Sequence, residues 1–348
     1  MHPHALHLRS AAAAHVGPPA TEHNQMIWNT TGSGRSHTKS SYQPRDGAVL
    51  AGFAALVGVL AAAAPVQAAP LIGLVGPSTL IGFDSAAPGT VNATLSVTGL
   101  NGQSLSGIDF RPSSGELYAL GSSGSLYTIN TTTGAATAVG PGVPVGMGSV
   151  GFAFNPVPDA IRVVTSDDLN LRVNPNTGTT TTDTPLAYAA GDPNAGVNPT
   201  ITAAAYTNQV AGIVTSTALY GIDAGTRSLV LQNPPNNGVL TTIGLLGLMN
   251  ISTEIGFDIE GSTGAAFASL ITGNSASRLY SINLGTGEAS LLANFGANTV
   301  RDIAVGQLGM TAVPEPASLA LFGTALLGLG VARRRRSSEG QVSNVNLG

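Results

Sequence analysis

A phrase of the form Leu-Tyr-x-Ile-Asn, closed a few residues later by Gly, occurs five times in the 348 residues of this chain. The copies are Leu80-Ile81-Gly82-Phe83-Asp84 with Gly89, Leu126-Tyr127-Thr128-Ile129-Asn130 with Gly134, Leu171-Arg172-Val173-Asn174 with Gly178, Leu219-Tyr220-Gly221-Ile222-Asp223 with Gly225, and Leu279-Tyr280-Ser281-Ile282-Asn283 with Gly287. Within each copy apolar residues alternate at the strand period, Asn or Asp can form an Asx-turn, and Gly can take a positive φ. Each copy is therefore expected to be a hairpin. The leading leucines stand 46, 45, 48 and 60 residues apart, the period of a four-stranded propeller blade rather than of a helical solenoid.

Further strands flank the copies. Downstream lie Ala135–Val139 and Ala289–Leu292; upstream lie the pairs Gly107–Phe110 with Glu116–Leu120, Gly151–Phe154 with Ala160–Val164, Ala203–Tyr206 with Val210–Val214, and Ile255–Ile259 with Ala265–Leu270. No capped segment of 3.6-residue period is long enough to make a helix here. The first unit, Leu71–Val75, Leu80–Asp84 and Val91–Val97, lacks an innermost strand, and Val300–Val305 has the phase of one at the far end of the repeats. The expectation is an all-β fold, a β-propeller of five four-stranded blades closed by that C-terminal strand, so that no sheet edge is left open on the ring. Six blades is the alternative, and an open β-solenoid or a sandwich is the competing architecture.

The residues Gly107-Ile108-Asp109-Phe110-Arg111-Pro112, Glu116-Leu117-Tyr118-Ala119-Leu120 and Leu126-Tyr127-Thr128-Ile129-Asn130 resemble the domain of unknown function 4394, a family of exported bacterial proteins. The resemblance spans about residues 71–306. It implies a propeller-like domain and brings no activity and no functional residues to carry over.

Both ends carry addresses. Ala48–Ala64 is an apolar run behind Arg35, Lys39 and Arg45, followed by Val66-Gln67-Ala68; it has the form of a secretory signal peptide over 47–68, cleaved between Ala68 and Ala69. Residues 1–46 form an unusually long leader, with Met26 as an internal start, and an upstream start chosen by gene prediction is the simpler reading. At the other end the charge-free run Ala317–Ala332 stops at Arg333, Arg334, Arg335 and Arg336. Guanidinium groups stay on the cytoplasmic side, so such a block arrests a translocating helix. Its 16 residues span only about 24 Å against a hydrocarbon core of about 30 Å, short for a permanent transmembrane helix. Together with Pro314-Glu315-Pro316, the segment 313–336 resembles the PEP-CTERM sorting signal, although residues 337–348 extend past the point where such signals end. The resemblance implies cleavage near Glu315 by an exosortase, after transient anchoring in the inner membrane through 317–332. The localisation it implies is the cell envelope, the outer surface or the medium, and its family context adds exopolysaccharide, biofilm matrix and other envelope proteins as partners.

The intervening domain, 69–312, contains fourteen acidic residues and six arginines, and no lysine, histidine, cysteine or tryptophan. An acidic surface argues against nucleic acid as a partner. Without cysteine there is no disulfide and no thiolate chemistry. Without histidine, serine triads, imidazole acid–base catalysis and the usual zinc sites are excluded. Carboxylates, hydroxyls and amides remain, suited to hard cations such as Ca²⁺ or to sugars.

Two constellations stand out. Asp109, Asp258 and Asp302 occupy equivalent positions on inner strands, with Ala153 and Ala205 in the other two blades. The three carboxylates either hold Ca²⁺ in the channel or accept N–H bonds from neighbouring strands, the usual fate of buried carboxylates. In the long connection Ala187–Thr200, Asp192 and Asn194, with Asn198 nearby, either ligate Ca²⁺ or serve as turn residues beside Pro193 and Pro199. Asp167-Asp168 is a hairpin turn before it is a cation site. Tyr118, Tyr127, Tyr206, Tyr220 and Tyr280 recur within strands and suit blade interfaces better than a sugar platform. The expected function is a non-enzymatic, exported binding or structural propeller; the alternative is a Ca²⁺-dependent hydrolase or lyase acting at the channel.

Overall fold

The structure, a computed structural model, describes residues 68–309 except Asn274. The expected leader, the signal peptide up to residue 67, the sorting signal with its apolar run, and residues 337–348 lie outside the described residues. Among the described residues no helix is long and apolar enough to cross a membrane.

Five blades, antiparallel but for one short strand in the fourth, follow one another along the chain. The first contains β1 (Pro70–Val75), β2 (Thr79–Asp84) and β3 (Ala93–Ser96); the second β4 (Leu105–Phe110), β5 (Leu117–Gly121), β6 (Leu126–Ile129) and β7 (Ala136–Val139). The third contains β8 (Val150–Asn155), β9 (Ala160–Thr165), β10 (Asn170–Val173) and β11 (Thr180–Thr182). The fourth is built from β12 (Ala187–Tyr188), β13 (Ile201–Tyr206), β14 (Leu219–Asp223), β15 (Ser228–Gln232) and β16 (Val239–Leu245), and the fifth from β17 (Gly256–Ile259), β18 (Ala266–Leu270), β19 (Arg278–Ile282) and β20 (Ala289–Asn294). The last strand, β21 (Val300–Val305), pairs with β1, with Gly73 opposite Ile303 and Leu74 opposite Asp302. The closing blade thus joins both ends of the ring in the order β21-β1-β2-β3, and the fold is a five-bladed β-propeller.

Five hydrophobic clusters hold it, one at each junction between adjacent blades. The strand period explains the division. On β5, Leu117 and Ala119 point into the cluster shared with the first blade, while Tyr118 and Leu120 point into the one shared with the third. Middle strands are apolar on both faces for this reason, and all five residues of β5 are buried. The outer strand β7 has no buried residue. The tyrosines follow the same logic: Tyr118, Tyr127, Tyr206 and Tyr280 are buried, and the Tyr118 ring meets Phe154 of the next blade edge-on at 5.1 Å.

Four of the five repeat copies form the third strand of a blade and its turn. Asn130 Oδ1 accepts the N–H groups of Thr132 and Thr133, Gly134 turns at φ 76°, and Asn174 and Asn283 repeat the device with Gly178 and Gly287. The fourth copy departs from the expectation. Leu219–Asp223 pairs directly with β13 and is the second strand of its blade; β15 is the third. Val210–Val214, expected as a strand, is not one. The hairpin opens beyond Thr207, whose N–H donates to the Ala218 carbonyl at 3.0 Å, and within the loop Gly212 has φ 97° and Ile213 is 97% exposed. The run has strand-forming residues but no neighbouring strand to pair with.

Candidate functional site

The inner strands β21, β4, β8, β13 and β17 surround the central axis, and the carboxylates singled out in the sequence lie on three of them. Each reaches two ways. Asp302 Oδ1 accepts the N–H of Ile303 at 2.9 Å, and its Oδ2 accepts that of Ile108 on the next blade at 2.7 Å. Asp109 Oδ1 accepts from Phe110 and Oδ2 from Phe154, both at 2.7 Å. Asp258 Oδ1 accepts from Ile259 at 2.8 Å and from Gln209 Nε2 at 3.1 Å, and Oδ2 from Val305 at 2.7 Å. The fifth, first, second and third blades are thereby linked in series.

The remaining two junctions, where Ala153 and Ala205 take the carboxylate position, are made by close approach and burial, and at the second of them Gln209 of the fourth blade also reaches Asp258 of the fifth. A Cβ on Gly151 would lie 2.8 Å from the backbone of Ala203 and Ala204. A polar network joins the same pair of blades from the side. Arg162, 1% exposed, donates to Asp183 Oδ2 at 2.8 Å and to Asn170 and Asn236 at 2.7 and 2.6 Å.

Burial pushes the carboxyl groups of Asp109, Asp258 and Asp302 upward, Asp258 to about 7. The charge of Asp258 adds to the rise at Asp109 and Asp302, while the accepted N–H bonds oppose it. In a low-dielectric setting like-charged carboxylates favour the neutral form of their neighbours. Asp109 and Asp258 also line a cavity of about 220 Å³ at the exit ends of the inner strands, with Gln209 and Glu260. Among the described residues no group of three or more carboxylates or other such ligands is arranged to hold a metal ion.

Asp192 and Asn194 lie apart from this ring, on the edge of the fourth blade, where the connection adds β12 as a fifth strand parallel to β16. Asp192 accepts from the Thr242 N–H at 2.6 Å, the Thr242 hydroxyl at 2.8 Å and the Asn194 N–H at 2.8 Å, and Asn194 Nδ2 donates to Thr242 Oγ1. Burial opposes ionisation of Asp192, but these bonds outweigh it and hold the carboxyl below its usual range. The pair pins the connection to the outer strand. Asp168 sits at φ 65° in the turn between β9 and β10.

At the entrance ends of the inner strands a second cavity, of about 190 Å³, is lined by residues from all five blades, among them Ser106, Thr202 and Arg301. None of these stood out in the sequence. A lone arginine on an inner strand, in a domain without lysine or histidine, was the available signal.

The sequence matches the family model for the domain of unknown function DUF4394 over residues 79–304 and the PEP-CTERM protein-sorting motif over 312–336. No protein among the curated ones matches significantly. Among solved structures, glutaminyl cyclase from Myxococcus xanthus is 13% identical, with a TM-score of 0.38 over 59% of this chain and 83% of that one. A protein of unknown function from Bacteroides thetaiotaomicron is 15% identical, with a TM-score of 0.41 over 71% and 66%. TolB from Acinetobacter baumannii is 11% identical, with a TM-score of 0.40 over 65% and 53%.

Proposed function

The chain belongs to the DUF4394 family, and from that premise we propose that it is a non-enzymatic binding or structural propeller of the cell envelope or extracellular matrix. The PEP-CTERM motif makes it an exported protein processed by an exosortase. The observation that carries the reading is the position of that motif. It begins at residue 312, seven residues after the strand that closes the ring ends at Val305, so cleavage near Glu315 would release a finished propeller. Chemistry supports the same reading. Each of the three channel carboxylates already accepts two or three N–H bonds, whereas a Ca²⁺-dependent hydrolase or lyase needs them free for metal or substrate.

In producing cells, mass spectrometry of the mature carboxyl end should find Arg333–Arg336 removed, and the protein should be recovered with the polysaccharide matrix. Replacing Glu315 by Ala should leave the tail in place and the protein in the membrane fraction. Retention of the arginines in the wild-type protein would make it a plain anchored scaffold. Identical localisation without the tail, or no association with the matrix, would remove the sorted matrix role.

A further inference from the structure

The exit ends of the inner strands bring together the end of the ring and the long hairpin loop 207–218 of the fourth blade. Gln209 in that loop lines the same cavity as Val305, the last residue of the closing strand. From there the chain runs outward over the second blade. A Cβ on Gly306 would strike the Phe110 ring, and the Gly309 N–H donates to the carbonyl of Thr131, in the β6–β7 turn, at 2.9 Å.

The base of the loop is fixed and its tip is bare. Asn208 Nδ2 donates to the Ser216 carbonyl at 2.9 Å, the Thr217 hydroxyl to the Thr207 carbonyl at 2.6 Å, and Gln209 Nε2 to Asp258 Oδ1 at 3.1 Å. Beyond these bonds Val210-Ala211-Gly212-Ile213-Val214 is apolar throughout, and residues 207–218 include no charge. Val210 is 38% exposed and Ile213 97%. One exposed isoleucine is ordinary on a protein surface. This one stands on a stapled loop at the face from which the chain leaves.

What lies ahead of that face follows from the tail. Seven residues, 310–316, separate Gly309 from the apolar run Ala317–Ala332. Fully extended they reach about 30 Å at most, so a bilayer holding the run lies within that distance of the exit face. The opposite face is farther away by the height of the ring, about 20 Å for six-residue strands. Val157, 46% exposed in the β8–β9 turn, belongs to the third blade, between the tethered second and the loop-bearing fourth. Exposed Glu116 and Glu288 in other turns of this face disfavour an anionic surface, so zwitterionic lipid is the surface that fits.

We propose that, while the apolar run is still attached, the loop Val210–Val214 enters the bilayer interface and seats the propeller on its exit face, with Ile213 as the anchor. The tip needs to reach only the headgroup boundary, about 5–10 Å deep, where its backbone N–H and C=O groups stay hydrated. So small an apolar group binds weakly alone. The short tether supplies a local concentration of about millimolar order, and cutting it near Glu315 undoes the docking as well. The inference rests on the anchoring and processing proposed for the tail.

The chain has no cysteine, so a single introduced one can carry a label. The exported Glu315→Ala chain is purified from the membrane fraction and reconstituted in phosphatidylcholine vesicles. An environment-sensitive fluorophore is placed through Thr215→Cys, beside the tip, or through Met147→Cys, fully exposed at the entrance cavity. Emission from position 215 should shift to the blue and be quenched by nitroxide-bearing lipid, while position 147 stays aqueous. Ile213→Asp in the first variant should abolish both effects without changing the melting temperature, and Ile213→Leu should keep them. An aqueous label at position 215 in a chain that floats with the vesicles, an equal shift at position 147, or an unchanged shift in Ile213→Asp would each overturn the docking and leave the anchoring in place. A chain that does not float with the vesicles would overturn the anchoring, and the docking with it.

Discussion

Asp302 Oδ2 accepts the backbone N–H of Ile108 at 2.7 Å across the junction of the first and second blades, 194 residues away in sequence. Because Asp302 lies on the strand that closes the ring, the bond fastens the end of the repeats to an inner strand near their beginning. Asp302→Ala leaves the N–H groups of Ile108 and Ile303 without their acceptor, and unpaired buried donors cost about 1–3 kcal/mol each. Denaturant unfolding should show a loss of at least about 2 kcal/mol. Glu288→Ala, at an exposed position, should stay within about 0.5 kcal/mol of wild type. Equal stability of the two variants would show that the bond does not hold the ring.

The same carboxylates give the propeller an unusual pH response. Burial raises the Asp258 carboxyl to about 7, whereas an aspartate in the unfolded chain titrates near 3.9. Between about 4 and 7 the folded protein keeps a proton that the unfolded chain releases, so the stability from this group is complete below that window and declines as pH rises through it. The melting temperature of wild type relative to Asp258→Asn should accordingly be greatest near pH 4 and shrink toward neutrality. A gap that widens with rising pH would mean that the ionised form is the one the fold prefers.

The architecture was legible because its signals are local. Alternating apolar residues, Asx-turn residues and glycine mark each third-strand hairpin, and Val300–Val305 carried the inner-strand phase with no partner of its own. The fourth blade misled for an equally physical reason. Val210–Val214 has the composition of a strand, but pairing decides whether such a run becomes one, and Leu219–Asp223 took the place beside β13. β12 was hidden because two residues carry no periodicity. The carboxylate positions were readable from repeat alignment. Their N–H partners were not, since Asp109, Asp302 and Asp258 reach different registers of the following strand, at Phe154, Ile108 and Val305.

Close approach of the inner strands makes a third expectation. A Cβ on Gly256 would stand 2.5 Å from Ile303 N and 2.6 Å from Asp302 Cα, backbone that can yield only by shifting the closing strand. Gly256→Ala should cost about 1–3 kcal/mol, the usual range for overpacking a tight interior. Gly285 is the control. It lies in an exposed turn with only Asn283 Oδ1 near, at 3.4 Å, so alanine there should be neutral or slightly stabilising through the unfolded chain. Matching thermal melts for the two variants would contradict the close packing between the fifth and first blades.

Asp183 tests the junction of the third and fourth blades, where Ala153 takes the carboxylate position. It receives Arg162 Nη1 at 2.8 Å and Arg172 Nε at 2.7 Å; the side chains of Asp183 and Arg162 are 7% and 2% exposed, that of Arg172 40%. Burial works against its charge, but the two arginines outweigh burial and hold its carboxyl below the usual range. Its contribution is therefore full above the unfolded value near 3.9 and lost as pH falls, the reverse of Asp258. Asp183→Asn strands the Arg162 charge between the third and fourth blades, a change that typically costs about 3–5 kcal/mol, whereas replacing both members of a buried pair with apolar residues is often neutral. Arg172 is exposed enough for water to take over. Chemical unfolding should thus show a large loss for Asp183→Asn and a substantial recovery when Arg162→Met and Asp183→Leu are combined, because the apolar pair leaves no charge behind. A double variant as unstable as Asp183→Asn alone would locate the energy of this junction in its remaining contacts, among them that of Gln232 Nε2, which donates to Asn170 Oδ1 at 3.1 Å, instead of in the ion pair.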